Sequence, residues 1–320
     1  MPTSPPARRR PTWPELPLAV RVAVEERLGA RVERWASNDG GYSHGLASVL
    51  ETSAGERVFV KAADSSNEFT QWLYREEARR VVALPRSVPT PRFRWAATLD
   101  AAPGDAWEVL AFDAGTGRPP RQPWRADELA AVVGLAGRIS DHEIEPGALP
   151  EAADELPTGH WDELAAGEHP GLDTYDPWVA TNVERLGALA ATAGEAVRGG
   201  SLVHGDLRGD NALVEQGPDG LTAVAVDWPN AARGAAFVDV VGMLPAVRLE
   251  GGPEPEDVLA AHPLRPGTDQ GAVTVFLAAL TGYFLASSLR PPPPGIPHVR
   301  AFQRAQGEVC VAWLRRRLGE

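Results

Sequence analysis

The chain predicts an α+β fold in two lobes: a small N-terminal antiparallel sheet with one helix, then a larger, mainly helical C-terminal lobe. Three observations predict it. With 320 residues and 43% hydrophobic content, the sequence exceeds what one compact core comfortably holds. Between positions 46 and 84, two apolar runs joined by a turn lead into a helical pattern. Near the C-terminus, Gln270 to Leu289 carries no charge over twenty positions and is followed by a proline-rich breaker and a second helical segment. The resulting division is 1–15 as a flexible tail, 16–113 as the N-terminal lobe and 114–320 as the C-terminal lobe.

The elements follow in order. The first fifteen residues, rich in Pro and Arg around Arg8-Arg9-Arg10, lack the apolar core of a signal peptide. Gly40-Gly41-Tyr42-Ser43-His44-Gly45 separates two apolar stretches, where glycines let backbone amides approach a phosphate, although an ordinary hairpin turn has the same composition. Leu46 to Glu51 and Val58 to Lys61 read as strands across a turn containing Gly55. Ser65-Ser66-Asn67-Glu68 resembles a capping box that opens a helix running to about Leu84. Its apolar stripe is Phe69, Leu73, Val81 and Leu84, with Glu77 in register and Glu76 pointing elsewhere. Ala212 to Val214 and Leu221 to Val226 flank Pro218-Asp219-Gly220 and form a second hairpin. The stretch 270–289 is long enough to span a bilayer, but its Gln, Thr, Tyr and Ser residues favour a buried helix, which Pro291 to Pro297 stops. A final helix ends at Arg315-Arg316-Arg317.

Composition narrows the function classes. A net charge of −12 and a pI near 5.1 argue against nucleic acid or an anionic membrane as the main partner. The single cysteine, Cys310, excludes an intrachain disulfide framework and a multi-cysteine metal site. The expected location is cytoplasmic, the expected state a monomer or homodimer.

The densest chemistry is His204-Gly205-Asp206-Leu207-Arg208-Gly209-Asp210-Asn211, followed sixteen positions later by Asp227. Phosphoryl transfer needs a carboxylate near the attacking hydroxyl and oxygen ligands for Mg²⁺ on the nucleotide phosphates. Asp206 suits the first task, and Asn211 and Asp227 the second. Antiparallel pairing of the second hairpin brings Asn211 and Asp227 to its open end. Lys61 is the only lysine in the chain, every other basic side chain being arginine. A compact ammonium suits phosphate oxygens, and an inward-facing Glu77 needs a cation to offset its desolvation. These requirements predict a Lys61–Glu77 pair.

With those residues in place, the chain resembles the aminoglycoside phosphotransferase family, small-molecule kinases with a protein-kinase-like fold. The match runs from about Val32 to the C-terminal helix and rests on His204-Gly-Asp-Leu-X-X-X-Asn211, Asp227-Trp228, Gly234 and Asp239-Val240. The resemblance implies Asp206 as catalytic carboxylate, Asn211 and Asp227 as Mg²⁺ ligands, and Lys61 with Glu77 arranging the phosphates of ATP or GTP. It also implies nucleotide contacts from Gly41 and Ser43, and a hinge over Val109 to Gly115 whose backbone, Asp113 and Gly115 included, receives the purine. Arg208-Gly209-Asp210 and Pro229 depart from the commoner family residues. Only eleven residues separate Asp227 from Asp239, too few for a protein-kinase activation loop. A small hydroxylated acceptor is therefore expected, an aminoglycoside or other antibiotic, with a macrolide, a nucleoside or an amino alcohol as alternatives. A kinase-fold module that binds nucleotide without catalysis is the rival class.

Between Ser140 and Asp176 the chain has eleven acidic residues and no Lys or Arg. They form either an anionic wall for a polycationic acceptor or a solvated acidic surface.

Overall fold

The structure, a computed structural model, describes residues 10–38, 45–156, 160–167, 170–218, 220–293 and 298–320. The chain divides into two compact units. The first comprises residues up to Leu84, Thr90–Thr116 and Val226–Pro229; the second comprises Pro85–Pro89, Gly117–Ala225 and Asn230–Glu320.

The first unit is built on five antiparallel strands, β1 (Val32–Ser37), β2 (Leu46–Thr52), β3 (Arg57–Ala63), β4 (Phe93–Ala102) and β5 (Asp105–Asp113), in the order β1-β2-β3-β5-β4. The β2–β3 turn holds Gly55 at φ +77, a left-handed conformation cheap only for glycine. One face packs on helix α1 (Leu18–Leu28) through Val20, Val24, Leu50, Val60 and Val109. The other receives helix α2 (Glu68–Val81) through Tyr74, Val81, Leu110 and Phe112. The chain packs from Arg10 onward rather than from residue 16: Trp13 lies in the core, and Arg10 Nη1 donates to the Gly45 carbonyl at 3.3 Å.

Helix α2 differs from expectation in cap and stripe. Asn67, not Ser65, is the cap, accepting the Thr70 N–H at 3.0 Å, and the helix stops at Val81 rather than Leu84. Leu73, Val81 and Leu84 pack on the core as expected, beside buried Thr70, Tyr74 and Glu77, but Phe69 is 64% exposed and stacks on Trp72. The inward face is set by the 70, 74, 77, 81 spacing, which leaves Phe69 about one residue's rotation off it.

The second unit contains helices α3 (Ala126–Ser140), α4 (Ala152–Glu155), α5 (His160–Ala166), α6 (Pro177–Ala190), α7 (Ala193–Ala196), α8 (Val238–Leu249), α9 (Pro255–Ala261), α10 (Gln270–Leu289) and α11 (Val299–Leu318). Strands β6 (Ser201–Val203) and β9 (Ala232–Gly234) pair with each other, and β7 (Ala212–Gly217) pairs with β8 (Gly220–Ala225). Helix α10 is long and apolar enough to cross a membrane, and it is packed here against α5, α6, α7, α8 and α11. Gly282 is required on it, since a Cβ there would stand 2.5 Å from Trp161 Nε1, which donates to the Ala278 carbonyl at 2.8 Å. Cys310 is fully buried, and burial raises its thiol pKa.

Candidate active site

In the first unit, strand β3 presents Lys61 and helix α2 presents Glu77. Lys61 Nζ donates to Glu77 Oε2 at 2.6 Å and to Asp227 Oδ1 at 2.6 Å. The ammonium lies 5.8 Å from the Tyr74 ring centroid and 5.9 Å from that of Phe112. Burial alone pushes the Lys61 pKa down, but the Asp227 and Glu77 carboxylates outweigh it and hold it above its ordinary value. Lys61 therefore stays charged. Burial raises the Glu77 pKa, and the lysine charge opposes that rise. The expected Lys61–Glu77 pair is present.

Asp227 stands two residues beyond β8 and takes φ +71, a left-handed conformation costly for a side-chain-bearing residue. Its neighbour Trp228 is 1% exposed; its N–H lies 3.4 Å from Glu77 Oε1, and its indole N–H donates to Thr90 Oγ1 at 3.0 Å. These anchors over-determine the strained position and hold the Asp227 carboxylate on Lys61.

In the second unit, the 204–211 segment is fixed by Asp239, which the sequence matched without giving it a task. The His204 and Gly205 N–H groups donate to Asp239 Oδ2 and Oδ1 at 2.7 and 2.9 Å. Burial raises the Asp239 pKa, and His204 and the two amides counter it. Gly205 turns at φ +82, where a Cβ would meet the Asn230 carbonyl oxygen at 2.4 Å. The turn leads into Asp206, whose side chain is 37% exposed.

Asn211 Nδ2 donates to the Asp206 carbonyl at 2.8 Å and to Asp206 Oδ2 at 3.2 Å, tying the two side chains together and leaving the amide oxygen to accept. The hairpin pairs Ala212 with Ala225 as expected, with Asn211 just before it. Arg208, unassigned from the sequence, places Nη1 3.6 Å from Asp206 Oδ1. Its fork is held by Asp210, Nε to Oδ1 at 3.1 Å and Nη2 to Oδ2 at 3.0 Å.

The remaining expected residues divide. Gly41 and Ser43 lie outside the described residues. Asp113 ends β5 with its N–H donating to the Arg92 carbonyl at 2.8 Å and its carboxylate held by Arg94 Nε at 2.6 Å, so both groups are engaged within the sheet. Gly115 follows that strand. The acidic 140–176 stretch is not a bare wall: Asp141, Glu151, Glu163 and Asp176 pair with Arg265, Arg233, Arg290 and Arg315. Trp161 and Tyr175 are core residues, and Trp178 lies beneath Arg315 and donates to Glu320.

A family model described as the phosphotransferase enzyme family matches residues 38–273. Among solved structures, a spectinomycin phosphotransferase in complex with ADP and spectinomycin is similar at TM-score 0.57 and 10% identity, covering 92% of this chain and 97% of that one. An aminoglycoside 3′-phosphotransferase of type VIII is similar at TM-score 0.54 and 21% identity, covering 83% and 97%. A macrolide 2′-phosphotransferase from Brachybacterium faecium is similar at TM-score 0.54 and 14% identity, covering 93% and 97%. These likenesses show a kinase-like phosphotransferase fold. No curated protein sequence matches the chain.

Proposed function

The chain belongs to the phosphotransferase enzyme family, whose members are small-molecule kinases acting on hydroxyl groups, and from that membership we propose its reaction and its residues. It moves the γ-phosphate of ATP or GTP to a hydroxyl of an antibiotic or similar metabolite, in the cytoplasm, with magnesium. Asp206 orients the hydroxyl and accepts its proton as the phosphoryl group passes in line. Lys61, kept charged and aimed by Glu77, binds nucleotide phosphate oxygens.

The donor set fits magnesium. Asn211 offers an amide oxygen and Asp227 a carboxylate, both hard ligands. Such a site takes its other ligands from phosphate and water. When bound, the ion neutralises charge on the phosphates.

The observation that carries the reading is the Lys61 ammonium shared between Glu77 and Asp227, a buried cation held by two carboxylates, the second on a left-handed backbone position. A spectinomycin phosphotransferase of similar fold was crystallised with ADP, which supports a nucleotide donor. The names of the similar structures span aminoglycoside, spectinomycin and macrolide acceptors. A panel of aminoglycosides, macrolides, nucleosides and amino alcohols, incubated with ATP or GTP and read by mass for one added phosphate, tests the proposal. One phosphorylated acceptor supports it, and nucleotide binding without transfer or hydrolysis contradicts it.

A further inference from the structure

We propose that Thr90 is a positioning residue for the metal: its hydroxyl, acting through the indole of Trp228, keeps the Asp227 carboxylate in place once Lys61 has left it. The inference rests on the reading of Asp227 as a metal ligand and adds a residue that lies outside the sequence motifs. Lys61 Nζ now donates to Asp227 Oδ1 at 2.6 Å. In the proposed reaction that ammonium turns to nucleotide phosphates, so the lysine contact is not what fixes Asp227 when it has a metal to hold. A left-handed backbone at φ +71 does not maintain itself in a residue with a side chain. The next residue must therefore supply the restraint. Trp228 is 1% exposed, with its backbone N–H 3.4 Å from Glu77 Oε1 and its indole N–H donating to Thr90 Oγ1 at 3.0 Å. Glu77 is itself bonded to Lys61 through Oε2, so the first contact is sensitive to where the lysine goes. The second does not involve the lysine at all.

Thr90 is suited to this task by its own restraints. It stands between Pro89 and Pro91 on the approach to β4. Each proline ring fixes its own φ, and Pro91 confines the Thr90 backbone to the extended region. Two residues on, the Arg92 carbonyl accepts the Asp113 N–H at 2.8 Å, which ties the segment to the end of β5. The hydroxyl is thus presented from a stiff backbone, and Thr90 is half-buried, so water competes poorly for its bond. With a methyl group in place of Oγ1, the indole N–H loses this acceptor in a buried setting, a cost that a shift of the ring would relieve. Trp228 is joined to Asp227 by one peptide bond, so such a shift passes directly into the left-handed residue and moves the carboxylate.

The test is Mn²⁺ binding to the full chain with a non-hydrolysable analogue of ATP or of GTP, read by electron paramagnetic resonance as loss of the free-ion signal. Wild type, Thr90→Val, Thr90→Ser and Trp228→Phe are compared, and the affinity of each for nucleotide without metal is measured by calorimetry. Thr90→Val should weaken Mn²⁺ by about tenfold and metal-free nucleotide by less than about threefold, as the loss of one buried acceptor requires. Thr90→Ser keeps the oxygen and should bind Mn²⁺ within about threefold of the wild type. Trp228→Phe removes the same bond from the donor side and should weaken Mn²⁺ as Thr90→Val does, so either variant tests the proposal where the other does not fold. Unchanged Mn²⁺ affinity in the folded variant overturns the proposal. So does an equal loss of metal and metal-free nucleotide affinity, which would make Thr90 a general prop. Acceptor turnover measured alongside separates the proposal from the reading beneath it. A tenfold effect on Mn²⁺ with no acceptor phosphorylated keeps Thr90 as a positioning residue and overturns phosphoryl transfer. A wild type that binds no Mn²⁺ with either analogue overturns both.

Discussion

The Lys61 ammonium and the Glu77 carboxylate lie 2.6 Å apart with side-chain exposures of 11% and 2%, a buried ion pair joining strand β3 to helix α2. Removing one partner leaves the other charged and desolvated, which costs several kcal/mol. Lys61→Met should therefore destabilise the protein by about 3 kcal/mol, measured by urea denaturation at neutral pH. In the Lys61→Met, Glu77→Leu double variant most of that stability should return while turnover stays at least about a hundredfold low. Recovery of activity with stability would reduce the pair to a fold element.

Asp239 accepts both the His204 and Gly205 backbone N–H groups, at 2.7 and 2.9 Å. Asp239→Ala should cost about 2 kcal/mol, from two buried donors left unsatisfied. It should also lower kcat by about a hundredfold, because Asp206 follows directly on the turn and its aim depends on it. Nucleotide affinity, read by calorimetry, should change much less.

The fold of the first unit was largely legible because its signals are local. Lys61 and Glu77 are sixteen residues apart on adjacent elements, and strand alternation and helical period suffice to face them together. In α2 the helical period places Leu73, Val81 and Leu84 on the core and Glu77 facing inward, whereas Phe69, at the first turn, falls outside that face. The Pro- and Arg-rich start hid the packing of Trp13, since composition says nothing about what the sheet face lacks.

In the candidate site, the proximity of Asp206 and Asn211 was legible from their motif, whereas the contacts of Asp239 and Arg208 were not. Asp239 acts across 35 residues of sequence, and Arg208 acts through a loop conformation that no periodicity encodes. The arginines that meet the acidic stretch lie farther still: Arg265 is 124 positions from Asp141. Only the tertiary fold brings such charges together, so the pairing of four of the eleven acidic residues with distant arginines is not legible in the run itself.

Gly282 and Gly137 make a paired test of packing. Gly282→Ala puts a Cβ 2.5 Å from Trp161 Nε1 and should cost about 2 kcal/mol or more. Gly137→Ala, in helix α3 with nothing within 4 Å of its Cβ, should be neutral or stabilise by up to about 1 kcal/mol. Thermal unfolding of the two variants beside the wild type checks the order.

Glu76 gives a pH dependence with a defined sign. The hydrogen bond from Arg79 first, and then that from Arg80, hold its pKa below the ordinary carboxylate value, against a desolvation that raises it. The folded state thus binds its proton less readily than the unfolded chain, so the contribution is present above the unfolded pKa of about 4.3 and is lost as pH falls through the lower folded value. Glu76→Gln should cost up to about 1 kcal/mol at pH near 7 and little once both forms are protonated. Denaturation curves of both proteins at neutral pH and at acid pH measure the difference.

The most direct measurement is turnover of Asp206→Asn with the acceptor that the wild type phosphorylates, at saturating nucleotide. The amide keeps the size and the Asn211 contact but cannot take the hydroxyl proton, so kcat should fall by about a hundredfold or more while nucleotide affinity is retained. A kcat within about threefold of the wild type would contradict the assignment of Asp206 as the carboxylate that aims the nucleophile.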